Sequence, residues 1–159
     1  MKTVYKWLAF LVALEVVVQG AVMVWGIAGL GLWVDGGGVL DKATFENAFE
    51  GGETPFPEFA GLMLHGMNGM MIIPVIALLL LLASFFAKVP KGVRWAAGVV
   101  VLVALQMTLG LMGHEIPALG ALHGANALLL FSTALWTGLR VTRSQSTSRH
   151  VEAAERVAV

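Results

Sequence analysis

The sequence predicts an all-α integral membrane protein, a four-transmembrane-helix bundle made of two pseudo-symmetric helix pairs. Three observations carry this expectation. The chain is 58% hydrophobic and only 13% charged over 159 residues, with a mean hydropathy of +0.83. Its apolar residues fall in four long runs, each of about 20 residues or more, enough to cross a hydrocarbon core as helix. The motif LHGxN occurs at residues 64–68 and again at 122–126, which points to an internal repeat.

The first span is expected over residues 5–32. The opening MKTVYKWLAFLVAL has the basic and apolar parts of a signal peptide. Its apolar run is too long for one, however, and no small-x-small cleavage site follows, so the segment reads as a retained helix. Residues 35–58 form an outer loop carrying Asp35, Asp41, Glu46, Glu50, Glu53 and Glu58. Within it DKATFENAFE reads as a short helix capped by Asp41. Phe45, Ala48 and Phe49 would share its apolar face, which suits a solvated acidic lid or a helix lying on the membrane surface.

The second span is expected over residues 59–87 and the third over 93–113, with Pro90-Lys91-Gly92 as the turn between them. Pro117 fits the first turn of the fourth span, 118–141. Residues 1–141 thus form the membrane domain. The polar remainder, 142–159, reads as a flexible cytoplasmic tail, where His150 has no evident chemistry.

Charge sets the topology. Lys2, Lys6, Lys88, Lys91, Arg94, Arg140, Arg143, Arg149 and Arg156 fall on one side, and only Lys42 on the other. By the positive-inside rule both termini are cytoplasmic and the loop 35–58 faces outward, as expected in a bacterial inner membrane. The absence of cysteine removes disulfides, thiolate metal sites, haem attachment through CxxCH and thiol catalysis. A net charge of zero offers no case for nucleic acid as a partner. The lipid bilayer is the partner the sequence requires.

Aligning Gln19 with Gln106 places Gly26 and Gly113 seven residues later in each copy, two turns on and on the same face. His65-Gly66-x-Asn68 then opens the second span, and His123-Gly124-x-Asn126 the fourth. A two-helix unit used twice in the same direction is a parallel repeat, with its axis along the membrane normal. His65 and His123 should therefore lie at the same depth, about 10 Å below the outer surface at 1.5 Å per residue.

Two imidazoles facing each other across a bundle axis would supply the axial ligands of a haem. Gly66 and Gly124 remove bulk beside each His. Gly26, Gly110 and Gly113 thin the outer ends of the first and third spans, although such glycines equally suit tight helix packing. Asn68, Asn126, Gln19 and Gln106 could join helices by hydrogen bonds or meet the edge of a cofactor. His114 could touch a haem propionate or a quinol near the surface, or be solvated. Propionates favour Arg or Lys, and Lys42 is the only such residue outside. Glu15, one turn before Gln19 on the same face, could relay protons, contact a quinone, or be a protonated structural carboxyl.

Two alternatives stand beside haem. Met63, Met67, Met70 and Met71 crowd the first motif, and thioether sulfur suits Cu(I), although Met is also a versatile core filler. The His and Asn pairs could instead be structural contacts in a non-catalytic subunit of a larger complex.

The segments LQMTLGLMG (105–113) and LHGANALLLF (122–131) resemble the LQ-x-x-LG…H-x-x-x-A pattern of haem A synthases. Over residues 5–141 the chain looks like one four-helix half of such an enzyme, and like small bacterial four-span proteins with paired His. The resemblance implies a b-type haem held by His65 and His123. It departs from the family at Gly66 and Gly124, where the family often carries Arg, and no residue securely matches the family's outer catalytic Glu, so haem hydroxylation is not implied. A homodimer would regenerate eight spans. The expected function is electron transfer between a quinol or redox partner and another protein, or redox sensing. Whether the chain is an enzyme is left open by the sequence.

Overall fold

The computed structural model describes the backbone of residues 1–157 and the side chains of residues 1–142. Every regular element among them is helical. In order they are α1 (Lys2–Asp35), α2 (Lys42–Phe49), α3 (Phe59–Met67), a π-helical turn (Asn68–Ile72), α4 (Ile73–Ala87), α5 (Gly92–Gly113) and α6 (Pro117–Val157). Four stretches are long and apolar enough to span a membrane: Lys2–Asp35, Phe59–Ala87, Gly92–Gly113 and Pro117–Thr142. These are the four segments expected from the sequence. The expected flexibility of 142–159, and His150 within it, fall outside the described side chains, although the α6 backbone is helical as far as Val157.

The chain divides into two compact units, Met1–Val16 with Ile73–Val159 (the terminal unit) and Val17–Ile72 (the central unit). In the terminal unit Ala9, Ala13, Ala77, Ala83, Ala96 and Ala134 are buried among Val12, Leu80, Val99 and Leu130. Small residues let helix backbones approach closely, which strengthens the van der Waals contact between them. The buried Tyr5 hydroxyl donates to the Gly92 carbonyl at 3.0 Å, tying the start of α1 to the start of α5.

The central unit is organised by aromatic rings. Phe45, Phe49 and Phe56 all pack on the fully buried Phe59, with centroids 5.2–5.8 Å away, and Trp33 stacks on Phe56 at 5.5 Å. The apolar face of α2 is therefore packed in part on the start of α3, with Ala48 buried and Phe49 still 43% exposed. The Asp41 side chain caps α2 by accepting from the Thr44 N–H at 2.8 Å. That bond and the one from the Thr44 side chain stabilise the ionised carboxylate and hold its pKa below the ordinary value.

One feature departs from a straight second helix. Asn68–Ile72 is π-helical, and the cause lies in the sequence. Pro74 has no N–H to donate, and its ring crowds the carbonyl four residues back, that of Met70. A wider turn before the proline relieves the crowding, and Gly69 within it carries no Cβ. A π turn also adds a residue to the helical register.

Candidate functional site

Each unit contains one copy of the His motif, and the same local contact recurs in both. In the central unit, His65 on α3 places Nδ1 3.2 Å from the backbone carbonyl of Gln19 on α1. In the terminal unit, His123 on α6 places Nδ1 2.9 Å from the backbone carbonyl of Gln106 on α5. A carbonyl oxygen can only accept, so each contact is a hydrogen bond when Nδ1 carries the proton, and a neutral ring in that tautomer has its lone pair on Nε2. This is the tautomer a metal-binding imidazole needs, since a ligating His donates its other N–H to a carbonyl or carboxylate that fixes the ring. Both rings are partly buried.

The surroundings of the two rings differ. Asn126 is buried, and its amide donates to the Leu102 carbonyl at 3.0 Å and to Gln106 Oε1 at 2.6 Å. Here Asn126 and Gln106 act as interhelical glue. In the central unit the Gln19 side chain is buried, yet neither its Nε2 nor its Oε1 has a hydrogen-bond partner. Gln19 therefore serves through its backbone carbonyl, and its amide lies beside Gly69, whose absent Cβ would sit 3.2 Å from Nε2. The side-chain bond of the second motif is thus not repeated at Gln19.

The glycines fall into two groups that the sequence could not separate. Gly26 and Gly61 form a close crossing of α1 and α3. A Cβ on Gly26 would meet the Leu62 side chain at 2.7 Å, and one on Gly61 would strike the Val22 carbonyl. A Cβ on Gly113 would likewise lie 2.9 Å from the Cα of Gly120. These are packing glycines. Gly66 and Gly124 are different, because a Cβ on either would meet nothing within 4 Å. Gly110 belongs to the histidine itself, since its absent Cβ would lie 3.0 Å from Cε1 and Nδ1 of the His123 ring.

The remaining candidates are peripheral. His114 is exposed at the C-cap of α5. Lys42 pairs with Glu46 at 3.5 Å on the surface of α2. Glu15 is partly buried on α1. Met63 packs against the aromatic cluster, whereas Met67 and Met70 are exposed, and the π turn that begins at Asn68 breaks the regular spacing a methionine ladder would need. No group of three or more His, Asp or Glu side chains gathers among the described residues, so a zinc-type cluster has no candidate there. Sequence reasoning missed the Leu102 carbonyl and Gly69. Leu102 lies one turn before Gln106 on the same face of α5, and that spacing is the only hint of its part.

Residues 54–112 match a family of unknown function, DUF6220. The matched stretch contains His65, Asn68 and Gln106 and stops before His123. No curated protein and no solved structure matches the chain.

Proposed function

We propose that the chain is a four-span membrane protein with cytoplasmic termini, in which His65 and His123 are the axial ligands of one b-type haem. The observation that carries this reading is the twice-used Nδ1–carbonyl contact, to Gln19 and to Gln106. It suits neutral imidazoles whose lone pair is on Nε2. Neither Gly66 nor Gly124 is filled against another part of the chain, since a Cβ on either would meet nothing within 4 Å. Further support comes from the repeat of the two motifs, the nine-to-one distribution of cations, and the likeness of 105–113 and 122–131 to one half of a haem A synthase.

The haem would supply one-electron redox chemistry. The chain's own groups do the rest. The carbonyls of Gln19 and Gln106 hold the ring planes and increase the electron density that each imidazole offers. Gly110 allows the His123 ring to lie against α5. The apolar residues around the motifs keep water away, which tunes the potential. Were His65 and His123 both to hold the iron, the haem would serve electron transfer between a quinol or membrane redox partner and another protein, or redox sensing, rather than substrate binding.

A second reading is a non-catalytic membrane subunit, favoured by the Asn126–Gln106 bond, which joins α5 and α6 without any cofactor.

Absorption spectra of the detergent-purified protein, oxidised and dithionite-reduced, with a pyridine haemochrome assay, decide between the two. The expected result is a low-spin b-type spectrum at about one haem per chain. His65→Ala and His123→Ala should each lose the haem or convert it to high spin. A colourless protein expressed with ample haem, or both substitutions leaving the spectrum intact, would overturn the assignment.

A further inference from the structure

The basic end of the terminal unit carries a groove of about 580 Å³ along α5 and α6. Lys91, Arg94 and Trp95 stand at one end of it, and Gly98, Leu102 and Thr133 line the rest. Gly98 leaves a notch in its floor, because a Cβ there would meet nothing within 4 Å.

The charge at this end is one-sided. Lys91 and Arg94 are exposed. The Arg140 guanidinium lies over the Trp95 ring, 5.5 Å from its centroid, and its Nε is buried with no hydrogen-bond partner. No Asp or Glu occurs on α5, nor on α6 before Glu152. Lys91 and Arg94 therefore line an apolar channel, with Arg140 beside its Trp95, and no carboxylate lies on α5 or on α6 before Glu152 to neutralise them.

We infer that this groove holds an anionic phospholipid. Its phosphate sits among Lys91, Arg94 and Arg140, and one acyl chain runs over Gly98 toward Leu102 and Thr133. Basic pockets between helices at the cytoplasmic side are suited to anionic headgroups. A free phosphate would leave the apolar floor unused, and a neutral quinone could accept hydrogen bonds from the cations but would leave their charge unneutralised. The inference rests on the reading that the four helices cross a membrane, and is independent of the haem.

The test uses the full chain in detergent, titrated with phosphatidylglycerol or with phosphatidylcholine of the same acyl chains, with bound lipid counted by native mass spectrometry. One phosphatidylglycerol should be retained preferentially. K91Q/R94Q should weaken that binding about 25-fold, at roughly five-fold per surface cation, and leave phosphatidylcholine unchanged. Gly98→Leu fills the notch in a position with free space and should remove the preference while charge is constant. Circular dichroism of each variant confirms that it is folded. Quenching of tryptophan fluorescence by brominated phosphatidylglycerol, compared between the native chain and Trp95→Phe, gives an independent reading and should lose the share that Trp95 contributes among the five Trp.

Equal retention of both lipids, or an undiminished preference in K91Q/R94Q and Gly98→Leu, would overturn the inference. So would tighter retention of a quinone than of phosphatidylglycerol. Alkaline carbonate extraction separates this from the underlying reading. Release of the chain from membranes would sink the four-span assignment, whereas a chain that stays in the membrane yet shows no lipid preference sinks only the lipid site.

Discussion

Gly66 and Gly124 are the positions at which stability and cofactor binding should part company. A Cβ built on either glycine meets no atom within 4 Å, so alanine brings no steric cost to the protein itself. Glycine inside a helix is less favourable than alanine by about 1 kcal/mol, because its backbone loses more freedom on folding. Gly66→Ala and Gly124→Ala should therefore each stabilise the haem-free protein by up to about 1 kcal/mol, and the double variant by up to about 2 kcal/mol if the sites are independent. If the open space beside each His is where a flat cofactor lies, leucine at both positions should empty it. The assays are the free energy of unfolding in mixed micelles for the apoprotein, and haem per chain from the pyridine haemochrome for the loaded protein. The predicted outcome is an alanine double variant of raised stability and a leucine double variant with little haem. A leucine double variant that keeps one haem per chain would refute the reasoning, since the glycine space would then have no part in the site.

Two further outcomes follow from particular contacts. Asn126→Leu removes two hydrogen bonds from a buried group and should cost the apoprotein about 1–2 kcal/mol, given roughly 0.6 kcal/mol for an average bond between membrane helices. Gln19→Met removes two buried atoms with no partner and should be neutral or mildly stabilising; equal losses in the two variants under mixed-micelle unfolding would contradict the geometry. Asp41 is a carboxylate whose pKa is lowered on folding, chiefly by the Thr44 N–H, so its contribution to α2 is present above the unfolded value, near 4, and is lost as pH falls through the folded one. Asp41→Asn keeps a capping oxygen and should abolish that dependence, read from the pH titration of the Thr44 amide in NMR spectra; a Thr44 midpoint at or above the ordinary Asp value would contradict the cap.

The four long helices, the cap at Asp41 and the turn at Pro117 were legible in the sequence because each depends on local composition. Run length, a side-chain acceptor before a helix and a fixed proline φ act within a few residues of where they are written. The repeated spacing of His, Asn and Gln was visible, and the amides read as interhelical or cofactor-edge contacts. That the backbone carbonyls of Gln19 and Gln106 meet the His rings was not legible. Backbone carbonyls are present at every residue, so sequence cannot mark which one a side chain will reach.

The π turn at Asn68–Ile72 had a local cause in Pro74, yet the relief of that crowding could also have been a kink, and only the packed helix decides between them. The glycines make the same point at a longer range. Gly26 and Gly66 are identical letters in apolar helices, and both fit either a helix crossing or a cavity. The tertiary structure assigns Gly26 to a crossing, because Leu62 and Gly61 of another helix stand against it, and leaves Gly66 with nothing opposite. The sequence by itself determined which segments are apolar helices and where polar groups repeat along them. Which face of each helix is covered, and by what, depends on residues far apart in the chain, and that was decided only when the helices packed.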